Sequence, residues 1–193
     1  MKTLRIERTV AQERERWRRE VLADLRGIVL DIGAGSGPSA HHLAPDVTWL
    51  ALEPRPSRHL TEAVERRQGS RLLSASAEQL PCDDSSIDAA ICSTVLCSVA
   101  DQDQALAEIR RVLRPKGQLV FFEHVCAAPG STARRLQGAL APWTRRFDKG
   151  CDPCRDTADR INAAGFAEVS MRRIQMSGVI GRVSPYIEGR ALR

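Results

Sequence analysis

The segment Ile28-Val-Leu-Asp-Ile-Gly-Ala-Gly-Ser-Gly37 limits most strongly what this chain can become, because an apolar run breaks there into glycines at alternate positions. Such a run reads as a strand stopped by a tight turn. Glycine has no Cβ, so Gly33, Gly35 and Gly37, with Ala34 between them, can take positive φ and bring the backbone close to a ligand. A second apolar run, Leu50-Ala-Leu-Glu53, ends in an acid, and a carboxylate there can accept both hydroxyls of an unphosphorylated ribose. Strand, turn and acid together read as a site for a nucleoside cofactor. A dinucleotide fingerprint, G-x-G-x-x-G, would need its third glycine at 38; Pro38 stands there and opens a helix, which disfavours pyrophosphate. Asp31, just before the turn, can accept hydrogen bonds from a cofactor amino group or from turn amides.

Hydrophobic periodicity predicts strands at 27–32, 47–53, 71–74, 87–93, 117–123, 168–174 and 186–190. Between them it predicts helices at 39–43, 57–67, 102–113 and 156–164, with a first helix over 4–25. Pro115-Lys-Gly117 is the turn between a helix and the strand Gln118-Leu-Val-Phe-Phe122. Alternating strands and helices imply an α/β fold with a parallel sheet covered on both faces. Residues 125–156 leave the sheet on a long excursion that contains a helical stretch, 131–146. Ligands bind such sheets at the carboxyl ends of the strands, which gathers 33–37, Glu53, 76–78, 93–97 and 123–126 around one pocket.

At 193 residues the chain is expected to form a single domain, 1–193. No apolar run approaches the roughly 20 residues that span a bilayer. The first residues are charged rather than signal-like, so a cytoplasmic protein without a membrane anchor is expected. The net charge is +5, but the arginines are scattered over helices and aromatics make up only 4% of residues, so no nucleic-acid partner is expected. The cysteines 82, 92, 97, 126, 151 and 154 read as reduced thiols. Cys151-Asp-Pro-Cys154 has zinc or redox spacing but no second pair, and no metal is expected.

Several further segments carry a resemblance: Ser76-Ala-Glu-Gln-Leu-Pro81, Ser86-Ile-Asp88 and Ile109-Arg-Arg-Val-Leu-Arg-Pro-Lys-Gly117. In series with Leu30–Gly37 and Leu52-Glu-Pro54 they resemble the motifs of class I S-adenosylmethionine-dependent methyltransferases. The resemblance covers about residues 27–193. It implies a Rossmann-like seven-stranded sheet, mostly parallel with the last strand antiparallel, and S-adenosyl-L-methionine as cofactor. It also implies that Glu53, beside Pro54, holds the ribose, that Gly33, Gly35 and Gly37 form the cofactor turn, and that Asp31 supports the methionine end. Ser76 stands where the family often has an aspartate, so its hydroxyl or the backbone of Ala77, next to Glu78, would meet the adenine. Backbone near Ser93 and Thr94 would meet the methionyl group.

A narrower likeness lies in Ile91-Cys-Ser-Thr-Val-Leu-Cys-Ser-Val99, Glu123-His-Val125, Phe147-Asp-Lys-Gly-Cys151, Arg155-Asp-Thr157 and Pro185-Tyr-Ile-Glu-Gly189. These are similar to the branch that methylates small-molecule thiols, whose animal members carry an N-terminal membrane anchor; none is expected here, and a soluble enzyme is implied. A small-molecule thiol acceptor follows, with His124 as candidate base, residues 1–25 as a helical lid and 125–156 as an acceptor-side cap. Asp148, Asp152 and Arg155 would pair within that cap or face the acceptor. Trp17 serves the lid or the core, and a monomer or weak dimer is expected. O- or C-methylation of a phenol or quinone is the alternative within enzymes; a non-catalytic cofactor-binding protein is the alternative outside them.

Overall fold

Apolar residues alternate strictly along the central strands, and the two sets face opposite ways. In the computed structural model, which describes residues 3–6, 8–147, 150–176 and 184–193, eight strands form one sheet. They are β1 (Thr3–Ile6), β2 (Ile28–Ile32), β3 (Thr48–Leu52), β4 (Arg71–Leu73), β5 (Ile87–Ser93), β6 (Leu113–His124), β7 (Glu168–Met176) and β8 (Tyr186–Leu192). Their order is β1-β7-β8-β6-β5-β2-β3-β4. Helices α1 (Val10–Val21), α2 (Arg58–Glu65), α3 (Gln102–Val112), α4 (Thr132–Phe147) and α5 (Thr157–Ala163) complete the chain.

Leu30, Leu52, Ala90, Cys92, Leu119 and Phe121 point to the face covered by α3 and α5, through Leu106, Ile109 and Ile161. Val29, Trp49, Ala51, Ile91, Val120 and Phe122 point to the other, covered by Trp17 of α1 and Leu60 and Val64 of α2. The period of two along each strand builds both cores at once. β8 runs antiparallel to both β6 and β7, as the resemblance implies, and the remaining pairings are parallel.

The chain's start departs from the expected helix over 4–25. Thr3–Ile6 instead pairs parallel with β7, from Thr3 opposite Arg173 to Ile6 opposite Met176, and adds an eighth strand to the seven expected. Leu4 and Ile6 alternate with Thr3 and Arg5, a strand period too short to stand out in sequence. The helix begins only after Thr9, whose side chain accepts from the Gln12 amide at 3.3 Å while its own amide donates to Gln12 Oε1 at 3.0 Å. That reciprocal cap fixes the N-terminus. The expected helix at 39–43 shrinks to a single 3-10 turn, Pro38–His41.

α1 is anchored by more than apolar contact. Trp17, 1% exposed, lies against Phe122 with ring centroids 5.9 Å apart. Beside it Arg16 donates to Glu13 Oε1 at 2.7 Å and to Glu188 Oε2 at 2.6 Å, and Arg172 donates to Glu188 Oε1 at 2.7 Å. Helix α1 is thus part of the domain's core as well as its rim. Trp17→Ala is expected to cost about 3–5 kcal/mol in urea unfolding, the range for emptying a buried tryptophan site. A loss under about 1 kcal/mol, the size of an ordinary point change, would make α1 peripheral.

Candidate active site

A cavity of ≈ 690 Å³ opens at the carboxyl ends of β2, β3 and β5, within the range of small-ligand pockets. Of the residues singled out from sequence, it is lined by Asp31, Gly33, Ala34, Gly35, Glu53, Pro54, Ser76, Ala77, Glu78, Ser93 and Thr94. Gly37 and His124 do not line it. Gly37, at φ +86, lets the turn pass the helix and strand beside it: an added Cβ would lie 3.1 Å from Ala63 Cβ and 3.3 Å from Trp49.

Two glycines shape the floor differently. A Cβ on Gly33, at φ +64, would sit 2.6 Å from Val95 Cγ2, so that glycine is required by the neighbouring turn. A Cβ on Gly35, at φ +62, would meet nothing nearer than the Gly33 carbonyl at 3.9 Å. The Gly35 amide donates to Glu53 Oε2 at 3.1 Å, which fixes that carboxylate at the tip of β3.

Asp31 is 2% exposed, and of the two partners offered by sequence, turn amides or a cofactor amino group, the turn amides do not donate to it among the described residues. Its Oδ2 instead accepts from Trp49 Nε1 at 3.3 Å, because the β2–β3 register brings the indole alongside. Burial pushes its carboxyl up to about 6, against the pull of the Ser39 hydroxyl, the Trp49 indole and the Arg18 guanidinium. Glu78 is committed to the loop above, its Oε1 accepting from the Ala100 amide at 2.7 Å. Burial raises that carboxyl, but the backbone amides and the Ser76 hydroxyl outweigh it and hold it below the usual range.

The far wall is the turn after β5. Thr94 adopts φ 61, a left-handed conformation, held by its amide donating to Phe122 O at 2.8 Å. Its hydroxyl donates to Ser93 O at 2.6 Å and accepts from Arg14 Nη1 at 3.3 Å. Behind it the buried Glu123 accepts from the Val95 amide at 2.9 Å. Burial, with the Cys97 thiol adding, pushes that carboxyl well up, while the amides of Val95, Leu96 and Cys97 pull the other way. Sequence reading placed Glu123 at the pocket, in the segment 123–126, but gave it no task of its own; the signal was an acid near the end of an apolar strand.

Also missed were Arg14 and Arg18 of α1, which line the mouth of the cavity. Arg18 is 9% exposed, and burial, then Arg14, pull its guanidinium down. Across the mouth His42 Nε2 lies 2.8 Å from Glu15 Oε1 and ties α1 to the glycine turn's helix. The Nε atoms of Arg14 and Arg18 and the Ser93 hydroxyl are buried with no hydrogen-bond partner among the described residues. Buried polar groups are nearly always paired, so three orphans around one cavity mark where a polar ligand fits. Donors of this kind suit the carboxylate and hydroxyls of an adenosyl amino acid.

His124 ends β6 beyond this cavity, 7% exposed, its Nδ1 3.4 Å from Cys151 Sγ and its ring stacked on Tyr186 at 5.1 Å. The cap approaches the same end of the sheet. Asp152 donates its amide to Cys97 O at 2.9 Å, and Arg155 donates to Leu96 O at 3.3 Å. Asp148 lies outside the described residues. Among those residues no group of His, Cys, Asp and Glu could hold a metal ion, and no helix is long and apolar enough to cross a membrane.

The profile of a family described as a methyltransferase domain matches residues 30–121. Thiol S-methyltransferase TMT1B of Homo sapiens is 32% identical over 91% of this chain and 78% of its own length. A demethylmenaquinone methyltransferase of Deinococcus radiodurans is 35% identical over 59% of this chain and 52% of its own. Among solved structures, the 1,6-didemethyltoxoflavin-N1-methyltransferase of Burkholderia thailandensis, with bound S-adenosylhomocysteine, superposes with a TM-score of 0.65. It has 18% identity and covers 93% of this chain and 78% of that one.

The Asp31 carboxyl gives a pH signature. Its folded value, about 6, lies above the ordinary 3.8, so the native state holds the proton that the unfolded chain has released. Native stability from this group therefore falls as pH rises from about 4 to about 6, by at most about 3 kcal/mol, and is level above that. Urea unfolding across this window is expected to show the decline in the wild type and a flatter profile in Asp31→Asn. Parallel profiles would mean the carboxyl titrates normally.

Proposed function

From the premise that this chain belongs to the class I S-adenosylmethionine-dependent methyltransferases, we propose that it moves a methyl group onto the sulfur of a small-molecule thiol or dithiol. One observation carries the thiol reading. The likeness to the human thiol S-methyltransferase runs over 91% of the chain, acceptor-side segments included. Likenesses to demethylmenaquinone methyltransferases are shorter or weaker, at 35% identity over 59% of the chain for that of Deinococcus radiodurans and 29% over 82% for that of Streptomyces avermitilis. Those matches support the second reading, methylation of a quinol or phenol.

S-Adenosylmethionine, when bound, supplies a methyl group activated by a sulfonium. The chain's own groups then divide the work. Glu53, fixed by the Gly35 amide, would accept the ribose hydroxyls. Ser76 and the backbone of Ala77 would border the adenine, and Arg14 and Arg18, which line the cavity, would meet the methionyl carboxylate. Ser93 and Thr94 would hold the methionyl end against the turn after β5. A sulfonium and a thiolate neutralise each other on transfer, so walls that exclude water favour the step. Orientation by a fixed turn and a docked cap supplies further acceleration.

His124 takes the acceptor thiol's proton. A free thiol ionises near ~8.5, so below that pH a base raises the share of nucleophile. The Cys151 thiol beside Nδ1 orients the ring, and stacking on Tyr186 holds its plane.

The reading is tested by supplying aliphatic thiols, dithiols, phenols and quinols and measuring S-adenosylhomocysteine release. A thiol is expected to lead by at least about tenfold in kcat/KM, or ~1.4 kcal/mol. A phenol or quinol in the lead would replace the thiol reading.

His124→Ala is expected to lower kcat by about 10²-fold at neutral pH, with S-adenosylhomocysteine affinity retained and the deficit narrowing above the thiol's own pKa. An unchanged rate, or a deficit constant with pH, would leave His124 as a support for the cap.

A further inference from the structure

Leu136, Leu140 and Trp143 are 44%, 44% and 66% exposed, the large apolar side chains left in water among the described residues. All three stand on α4. Their spacing, i, i+4 and i+7, sets them in one stripe along the helix. The opposite face is buried and carries Gln137, at 2%, and Ala141, at 4%. Gln137 accepts from the Ala127 amide at 2.7 Å and donates to Val125 O at 3.3 Å; Arg134 donates to both oxygens of Asp156 at 3.1 and 3.2 Å. No other helix or strand packs extensively along α4 among the described residues. The usual arrangement is therefore inverted: polar groups hold the helix to the domain, and its apolar stripe faces outward.

The charge on the same helix is one-sided. Thr132–Phe147 contains Arg134, Arg135, Arg145 and Arg146 and no acid. Arg135 and Arg146 are exposed and share one shoulder of the stripe. Leucines and a tryptophan bordered by arginines are the pattern of a helix lying in the headgroup layer of a membrane. At 16 residues α4 is too short to cross one.

We propose that the outer face of α4 is a docking surface for an anionic lipid bilayer. Leu136, Leu140 and Trp143 enter the acyl boundary, and the arginines beside them meet lipid phosphates. A bilayer fits better than a second copy of the chain, because a copy would bring the same arginines against these. It also fits better than a protein groove partner, because the helix that carries the stripe bears four arginines and no acid. The surface stands on packing and charge alone and does not depend on the thiol reading.

The test is sedimentation of the full chain with vesicles of phosphatidylcholine alone or mixed with phosphatidylserine, read together with tryptophan emission. Trp17 and Trp49 are already buried, so a blue shift reports Trp143. Binding is expected to be at least about tenfold stronger on the anionic vesicles, to weaken as salt is raised, and to shift the emission. The triple variant Leu136→Ser/Leu140→Ser/Trp143→Ser should lose that binding while keeping its melting temperature and its affinity for S-adenosylhomocysteine. If the triple variant does not fold, Trp143→Ser alone carries the comparison. Absence of vesicle binding, binding undiminished in the folded variant, or a dimer dispersed by the variant without vesicle binding would each overturn the proposal.

Discussion

The position of β2 between β3 and β5 is the constraint on which the rest depends. Asp31 pairs with Ala51 on one side and with Ile91 on the other, so the order of strands reverses at this point. The chain leaves β2 toward one edge of the sheet and leaves β5 toward the other, and the two departing loops part to form a crevice. The glycine turn forms one wall and the left-handed Thr94 turn the other. Each wall is fixed by a carboxylate that caps backbone amides: Glu53 holds Gly35, and Glu123 holds the turn beginning at Val95. The site is rigid because its walls are tied to strand ends, not because its loops are short.

Helix α1 shows how one element serves two ends. Trp17 belongs to the core, while Arg14 and Arg18, on neighbouring turns, reach the cavity mouth. Between these tasks lies the buried group of Glu13, Arg16 and Glu188, with Arg172 at its edge. Charges removed from water are tolerable only when they are well paired, and each of these carboxylates receives a guanidinium. The helix is thereby set at one angle on the sheet, and the mouth arginines inherit that precision. A lid that could be removed without harm to the core would have lacked both features.

Much of this was legible because glycine and acid positions carry backbone information. Gly33, Gly35 and Glu53 could be gathered at one strand-end pocket from their spacing, and all three line the same cavity. Arg14 and Arg18 were not legible, because arginine in a charged helix looks the same whether it faces water or a cleft. The strand Thr3–Ile6 was too short for its alternation to stand apart from the helical stripe that follows. Gly37 was read with the turn although it serves the contact with Ala63 and Trp49, a distinction only tertiary packing makes. For α4, the pattern marks an apolar stripe but says nothing of which side the domain covers.

The sheet's rims are β1, four residues long, and β4, three. Unpaired strand edges invite other chains to add on, and short ones give such growth little template. β1 also covers part of β7, whose nine residues would otherwise lie open at the border. Fibril-like growth by strand addition is thereby discouraged at both margins, and the molecule keeps its adhesive character on a helix, where contact cannot propagate through backbone pairing.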